Sequence, residues 1–238
     1  MALKRVWIPS PNYSSRGGSA VRLIVVHTAE GARTIESLGG YFQGNVSASS
    51  HTGADDQPNT VGEYVSRGNK AWTQANANPY SVAIELCGFA AWSTAEWDQH
   101  PEMLRNCALW IAEEAAHYGL PITKLSASAA QGGGRGVCQH NDLGASGGGH
   151  WDCGSGFPID RVLDMARGGA SLAPPPEADV DEDVSMCSVL KDDGRLEVFV
   201  ERSSGEVVHA YQKATDGGWA GSAPGQTAEW YSLGKPGG

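Results

Sequence analysis

VRLIVVH at residues 21–27 and SVAIELC at residues 81–87 are the stretches on which the fold turns. The first is an unbroken apolar, β-branched run, the pattern of a strand buried on both faces. In the second, Val82, Ile84 and Leu86 share one face, while Ala83, Glu85 and Cys87 share the other. Between and after them the period changes to that of helices. TIESLGGYFQ (34–43) spaces Ile35, Leu38 and Phe42 for a helix with Thr34 as N-cap. Residues 101–118 predict the longest helix, with Pro101 in its first turn and Leu104, Cys107, Ala108, Ile111 and Ala115 as the apolar stripe. Gly119 and Pro121 end it.

Strand-like pieces around Ser49–Gly53 and Val61–Val65, a strand at GVCQH (136–140) and a last helix at FPIDRVLDMAR (157–167) complete the pattern. Strands alternating with helices predict an α/β domain over residues 1–169, a central mixed sheet flanked by helices. SLAPPPEADVDED then reads as a Pro/acidic linker, residues 170–183, stiffened by prolines and mutual charge repulsion. From 184 to 238 the period is two, in RLEVFVER (195–202) and VVHAYQK (207–213), which predicts a small all-β unit. Some fifty residues make little independent core, so this unit is expected to pack on something, copies of itself included.

Composition excludes several functions. The net charge of −10 is uneven: residues 1–169 carry 12 Lys/Arg against 15 Asp/Glu, and residues 170–238 carry 5 against 12. No basic patch is visible for nucleic acid, and no apolar run approaches the ~20 residues of a membrane span. MALKRVWIPSPNY contains no apolar segment of the secretory kind. Cys87, Cys107, Cys138, Cys153 and Cys187 are too irregularly spaced for a disulfide framework and suit a reducing cytosol.

The chemistry-bearing residues fall at strand ends and in glycine-rich loop. His27 ends the most buried strand and His140 ends a later one. His150 and Asp152 follow within a stretch, 131–156, where ten of 26 residues are glycine. Two histidines and a carboxylate suit an open zinc site with water in the fourth position. A core histidine bonded to backbone is the competing reading of each imidazole.

Taken in order, LIVVHTAEG, SASSH, EYV, AWTQANANPYSVAIELCG, GVCQHNDL and HWDCGSGFP resemble the type 2 N-acetylmuramoyl-L-alanine amidases, zinc enzymes that share their fold with peptidoglycan recognition proteins and many phage endolysins. The resemblance covers roughly residues 20–168. It implies one Zn2+ per chain, held by His27, His140 and Asp152, with the neighbouring Cys153 as a competing soft ligand. It implies Glu85 as the general base and His150 as the donor to the oxyanion. His51 is implied as a supporting or substrate-contact position, although Thr52 and the ADDQPN turn depart from the family pattern. Trp72, Asn76 and Asn78 are implied along the glycan–peptide groove, with Trp72 equally readable as core.

The partner implied is bacterial peptidoglycan, with no nucleic acid and no membrane insertion. The location implied for an endolysin is the host cytoplasm before release to the wall. The tail, with LEVFVERSSGEVVHAYQ, GGWAG and EWYSLG, resembles one blade of a lectin-like β-propeller. One blade cannot close a propeller, so a homo-oligomeric ring with avidity for the wall is the associated expectation. Two other functions compete. A non-catalytic recognition module would usually lack the third ligand. A cysteine-dependent cell-wall peptidase or amidase built on Cys138 or Cys153 with a His would tolerate chelators and fail on alkylation.

Overall fold

The computed structural model describes residues 3–168 throughout and, beyond them, four strands within 186–234. Two compact units are separated, Met1–Leu172 and Ala173–Gly238. The linker expected at 170–183, the turn at SSGE and the glycine-rich turns of the tail lie outside the described residues.

The first unit is built on a six-stranded mixed sheet. Its strands are β1 (Lys4–Trp7), β3 (Leu23–Thr28), β4 (Thr52–Ala54), β5 (Thr60–Glu63), β7 (Ser81–Leu86) and β8 (Gly136–Gln139), in the order β1-β5-β4-β7-β3-β8. A separate ribbon pairs β2 (Tyr13–Ser15) with β6 (Asn69–Ala71). Strands β4, β7, β3 and β8 are mutually parallel, and β5 returns antiparallel to β4. The expected strands at 21–27 and 81–87 are therefore central in the sheet, and the one at 136–140 is its edge strand beside β3. Strands β1, β2 and β6 carry no strong periodicity of their own and are set by pairing with neighbours.

Helices cover both faces, with two short ones, α2 (Thr94–Trp97) and α4 (Ala127–Gln131), beside the three longer ones that follow. On one face, α3 (Pro101–Tyr118) and α5 (Ile159–Ala166) pack on Ile24, Val26, Val82, Ile84 and Leu86. All five residues of the predicted α3 stripe are buried, and α3 ends at Gly119 in the left-handed conformation. On the other face α1 (Ile35–Gln43) lies over β4 and β5, its Thr34 hydroxyl accepting the Ser37 N–H as predicted. Cross-strand neighbours Gly53 and Gly62 make room there for Tyr64, whose hydroxyl donates to the Ile35 carbonyl at 2.9 Å. A smaller cluster of Leu23, Val25, Cys138, Leu143 and Ala130 fills the same face near the start of β3. Between this cluster and α1 the carboxyl ends of β7 and β3 are left uncovered, the place where open α/β sheets bind ligands.

In the second unit β9 (Met186–Leu190), β10 (Leu196–Glu201), β11 (Val207–Tyr211) and β12 (Tyr231–Gly234) form an antiparallel meander. The period-two stretches are β10 and β11. Among the described residues no helix is long and apolar enough to cross a membrane.

Candidate active site

Register places the site. His27 on β3 stands directly opposite Glu85 on β7, and His140 follows the last residue of β8, the other neighbour of β3. The loop after β8 brings Asp152 back over these ends, anchored by the Asn141 N–H donating to the Asp152 carbonyl at 2.8 Å. His27, His140 and Asp152 are all buried, and one ligand atom from each lies within 4.8 Å of the others.

The hydrogen bonds behind the two imidazoles fix their tautomers. His140 Nε2 is 2.7 Å from the Gly147 carbonyl, which can only accept, so Nε2 carries the proton. His27 Nε2 is 3.0 Å from Gln74 Oε1, while the Gln74 amide nitrogen donates to the Ser81 hydroxyl and that hydroxyl donates to the Ala77 carbonyl at 2.7 Å. Both Nδ1 atoms are turned toward Asp152, at 3.0 Å from His140 and 3.4 Å from His27. Burial pushes the His27 imidazole down to about 4 against the opposing pull of Asp152. Two ring nitrogens and a carboxylate converging in this way suit a cation, and the N, N, O donor set suits zinc.

Burial alone would raise the Asp152 carboxyl. Hydrogen bonding by His140 and then by His27, with the charge of both imidazoles, outweighs it and holds the group well below the usual carboxylate range. Glu85 behaves in the opposite way: burial, then the charges of Asp152 and Glu30, push its carboxyl well above its ordinary value. Its Oε1 is 3.9 Å from His27 Nδ1. His150 is exposed, with its ring stacked on that of His140 at 4.5 Å. These five side chains open into a cavity of about 490 Å3, walled on one side by Leu38, Tyr41 and Phe42 around α1.

Other expected residues lie elsewhere. His51 is buried, its Nδ1 accepting the Ala83 N–H at 3.1 Å and its Nε2 set toward the Asn69 carbonyl, also at 3.1 Å. Burial and then the charge of Arg16 push it down to about 3, which keeps it a neutral tie within the fold, and it does not line the cavity. Asn78 Oδ1 accepts the N–H groups of Thr73 and Gln74 and so shapes the turn that presents Gln74. Asn76 is exposed and does not line the cavity. Trp72 is also outside the cavity and is not core: it is 36% exposed, with its indole N–H donating to the Ser14 hydroxyl. His100 is partly buried and flat against Trp92, with Asp56 at 2.6 Å.

Cys153 turns away from the cluster into the main core, its thiol donating to the Val26 carbonyl at 3.3 Å. Burial raises its pKa well above the ordinary thiol value and pushes Cys138 up to about 12, which makes neither a ready nucleophile. Residue patterns did not single out Gln74, although it orients His27. A glutamine in a loop has no periodic signature, and its role depends on Ser81 behind it. Replacing Gln74 by Leu is expected to weaken zinc affinity by about 10- to 100-fold, measured by competition with a chelating dye. Unchanged affinity would show that the ring needs no such tie.

Among solved structures the chain is similar to the Staphylococcus aureus hydrolase AmiA in complex with its ligand. That match has a TM-score of 0.52 at 21% identity and covers 72% of this chain and 88% of that one. It is also similar to PlyL, with a TM-score of 0.50 at 15% identity, covering 72% of this chain and all of the other. At these identities the likeness is one of fold. No curated protein matches the chain. The family model described as Amidase_2, N-acetylmuramoyl-L-alanine amidase, matches residues 17–155, more than half of the chain and every residue of the cluster, and to that family the chain belongs.

Proposed function

We propose that this protein is a zinc-dependent peptidoglycan hydrolase that cuts the amide bond between N-acetylmuramic acid and L-alanine, as an endolysin does for a phage. The observation that carries this is the convergence of two tautomer-fixed Nδ1 atoms and the Asp152 carboxylate beside Glu85. A zinc ion held by His27, His140 and Asp152 would supply the Lewis acidity that polarises the amide carbonyl and acidifies water. Glu85 then accepts the proton of the attacking water and returns it to the leaving L-alanine nitrogen as the C–N bond breaks and the new C–O bond forms. Its environment favours holding that proton between the two transfers. His150, at the mouth of the cavity, donates to the oxygen on which charge develops.

A full ligand set and a poised carboxyl favour hydrolysis over binding alone, and the buried thiols disfavour a cysteine enzyme. In this reading residues 184–238 serve as a wall-binding or oligomerising module behind the 170–183 linker, and the enzyme waits in the host cytoplasm until it is admitted to the wall. Digestion of purified cell wall tests the proposal, with new amino termini and new reducing ends both counted. New L-alanine amino groups without reducing ends are expected, abolished by 1,10-phenanthroline, restored by zinc and indifferent to thiol alkylation. Reducing ends without amines, or activity that survives chelation and dies on alkylation, would end it.

A further inference from the structure

We infer that a second groove, next to the catalytic cavity, is a saccharide subsite for the N-acetylhexosamine adjoining the muramic acid at the cut; the identity of that substrate rests on the amidase proposal above. The groove, about 630 Å3, runs between the loop at 90–94 and the loop at 151–156. Trp92, Thr94, Asn141, Trp151 and Ser155 line it, and among the described residues no charged side chain does. The catalytic cavity, by contrast, is lined by Glu30, Glu85 and Asp152. Indole faces with hydroxyl and amide groups complement a pyranose, which presents apolar C–H faces and a rim of hydroxyl and acetamido groups. A neutral sugar needs no counter-charge.

Trp151 is 60% exposed in a loop of small residues, flanked by His150 and Asp152, and takes no part in either core cluster. Its indole adds little to the fold where it stands. Trp92 is held rigidly, stacked on His100 at 4.4 Å and edge-on to Trp97 at 4.9 Å.

The walls are fixed before any ligand arrives. A Cβ on Gly154 would sit 1.9 Å from the Ala90 carbonyl oxygen, and one on Gly156 would sit 2.1 Å from that of Trp92. Only glycine lets the two loops meet backbone to backbone. The Thr94 hydroxyl adds a bond to the Gly156 carbonyl at 3.1 Å.

The groove adjoins the site at Glu30. Glu30, which lines the catalytic cavity, has a left-handed backbone (φ 56°), and its Oε1 accepts both the Thr28 hydroxyl at 2.6 Å and the Ala90 N–H at 2.8 Å. Ala90 itself lines the groove, so Glu30 is the ridge between the two spaces. Asn141 and Trp151 are each one residue from a proposed metal ligand. A glycan strand crossing this ridge keeps its peptide-bearing sugar at the metal cluster and sets the next sugar between the tryptophans.

The test uses the full chain with indole-15N labelling and N-acetylchitotetraose, a peptide-free N-acetylhexosamine oligomer, as probe. The Trp151 and Trp92 indole signals should shift saturably, and Trp151→Ala should remove the Trp92 shift. That variant should also lose at least about ten-fold more kcat/KM on purified wall than on N-acetylmuramoyl-L-alanyl-D-isoglutamine, with Trp151→Phe recovering most of the loss. Indole signals unmoved by the tetramer, or equal losses on both substrates, would overturn the subsite. A chain that binds the tetramer in this way yet releases no amine from wall would keep the subsite and lose the amidase proposal.

Discussion

Asp152→Ala is expected to empty the metal site and reduce amine release from cell wall below detection. Asp152 is the only carboxylate among the three converging donors, and a catalytic zinc site has no ligand to spare. Without it two imidazoles face each other with centroids 4.3 Å apart and no anionic ligand opposes the charge of the ion. Zinc measured by plasma emission after dialysis should fall from one per chain toward zero, while Cys153→Ala, with its thiol directed at Val26, should keep its metal. An Asp152→Ala protein that retained one zinc per chain would refute the ligand assignment.

The same substitution has a signature in the metal-free protein. The folded state depresses the Asp152 pKa, so its ionised form stabilises the fold at pH values above the unfolded carboxylate value of about 3.9. That contribution is lost as pH falls through the folded-state value. Asp152→Ala should therefore have a lower Tm than the parent at neutral pH, and the gap should close progressively below about pH 4.

Glu85→Gln should keep the metal and lose about 10²- to 10⁴-fold in turnover, the usual contribution of a positioned general base. Glutamine matches glutamate in shape and leaves the three ligands untouched, so zinc content separates this variant from Asp152→Ala. Its effect on stability should have the opposite sign. The folded state raises the Glu85 pKa, so its contribution to stability is fully present below the unfolded value of about 4.3 and is lost as pH rises toward the folded-state value. At neutral pH the metal-free Glu85→Gln protein should accordingly melt at or above the parent temperature. Turnover within ten-fold of the parent, at equal zinc content, would remove Glu85 from proton transfer.

Strong periodicity carried most of the fold. The α3 stripe, the Thr34 cap, the alternation in SVAIELC and the inner face of α5 are local patterns, and each was legible because burial on one side of a helix or strand imposes its own spacing. β1 was not legible: four residues at a sheet edge, with two exposed, leave no alternation to read, and only pairing with β5 makes them a strand. The site divides in the same way. His27, His140, Asp152, Glu85 and His150 were singled out through the resemblance of ordered motifs to a known family, and the fold brings all five to one cavity. Gln74, the Gly147 carbonyl and Glu30 were not, since their roles consist of bonds to residues distant in the chain.

The sequence by itself determined which side chains are available for chemistry and which segments are helix or strand, because those depend on residue type and spacing. Tertiary structure decided the rest. The parallel register of β3 with β7 and β8 brings residues 27, 85 and 140 to one edge. The bonds from Gln74 and Gly147 choose which nitrogen each imidazole offers. The loop that returns over them points Asp152 into the cluster and Cys153 into the core. Those outcomes rest on contacts between residues far apart in the chain, which no local pattern encodes.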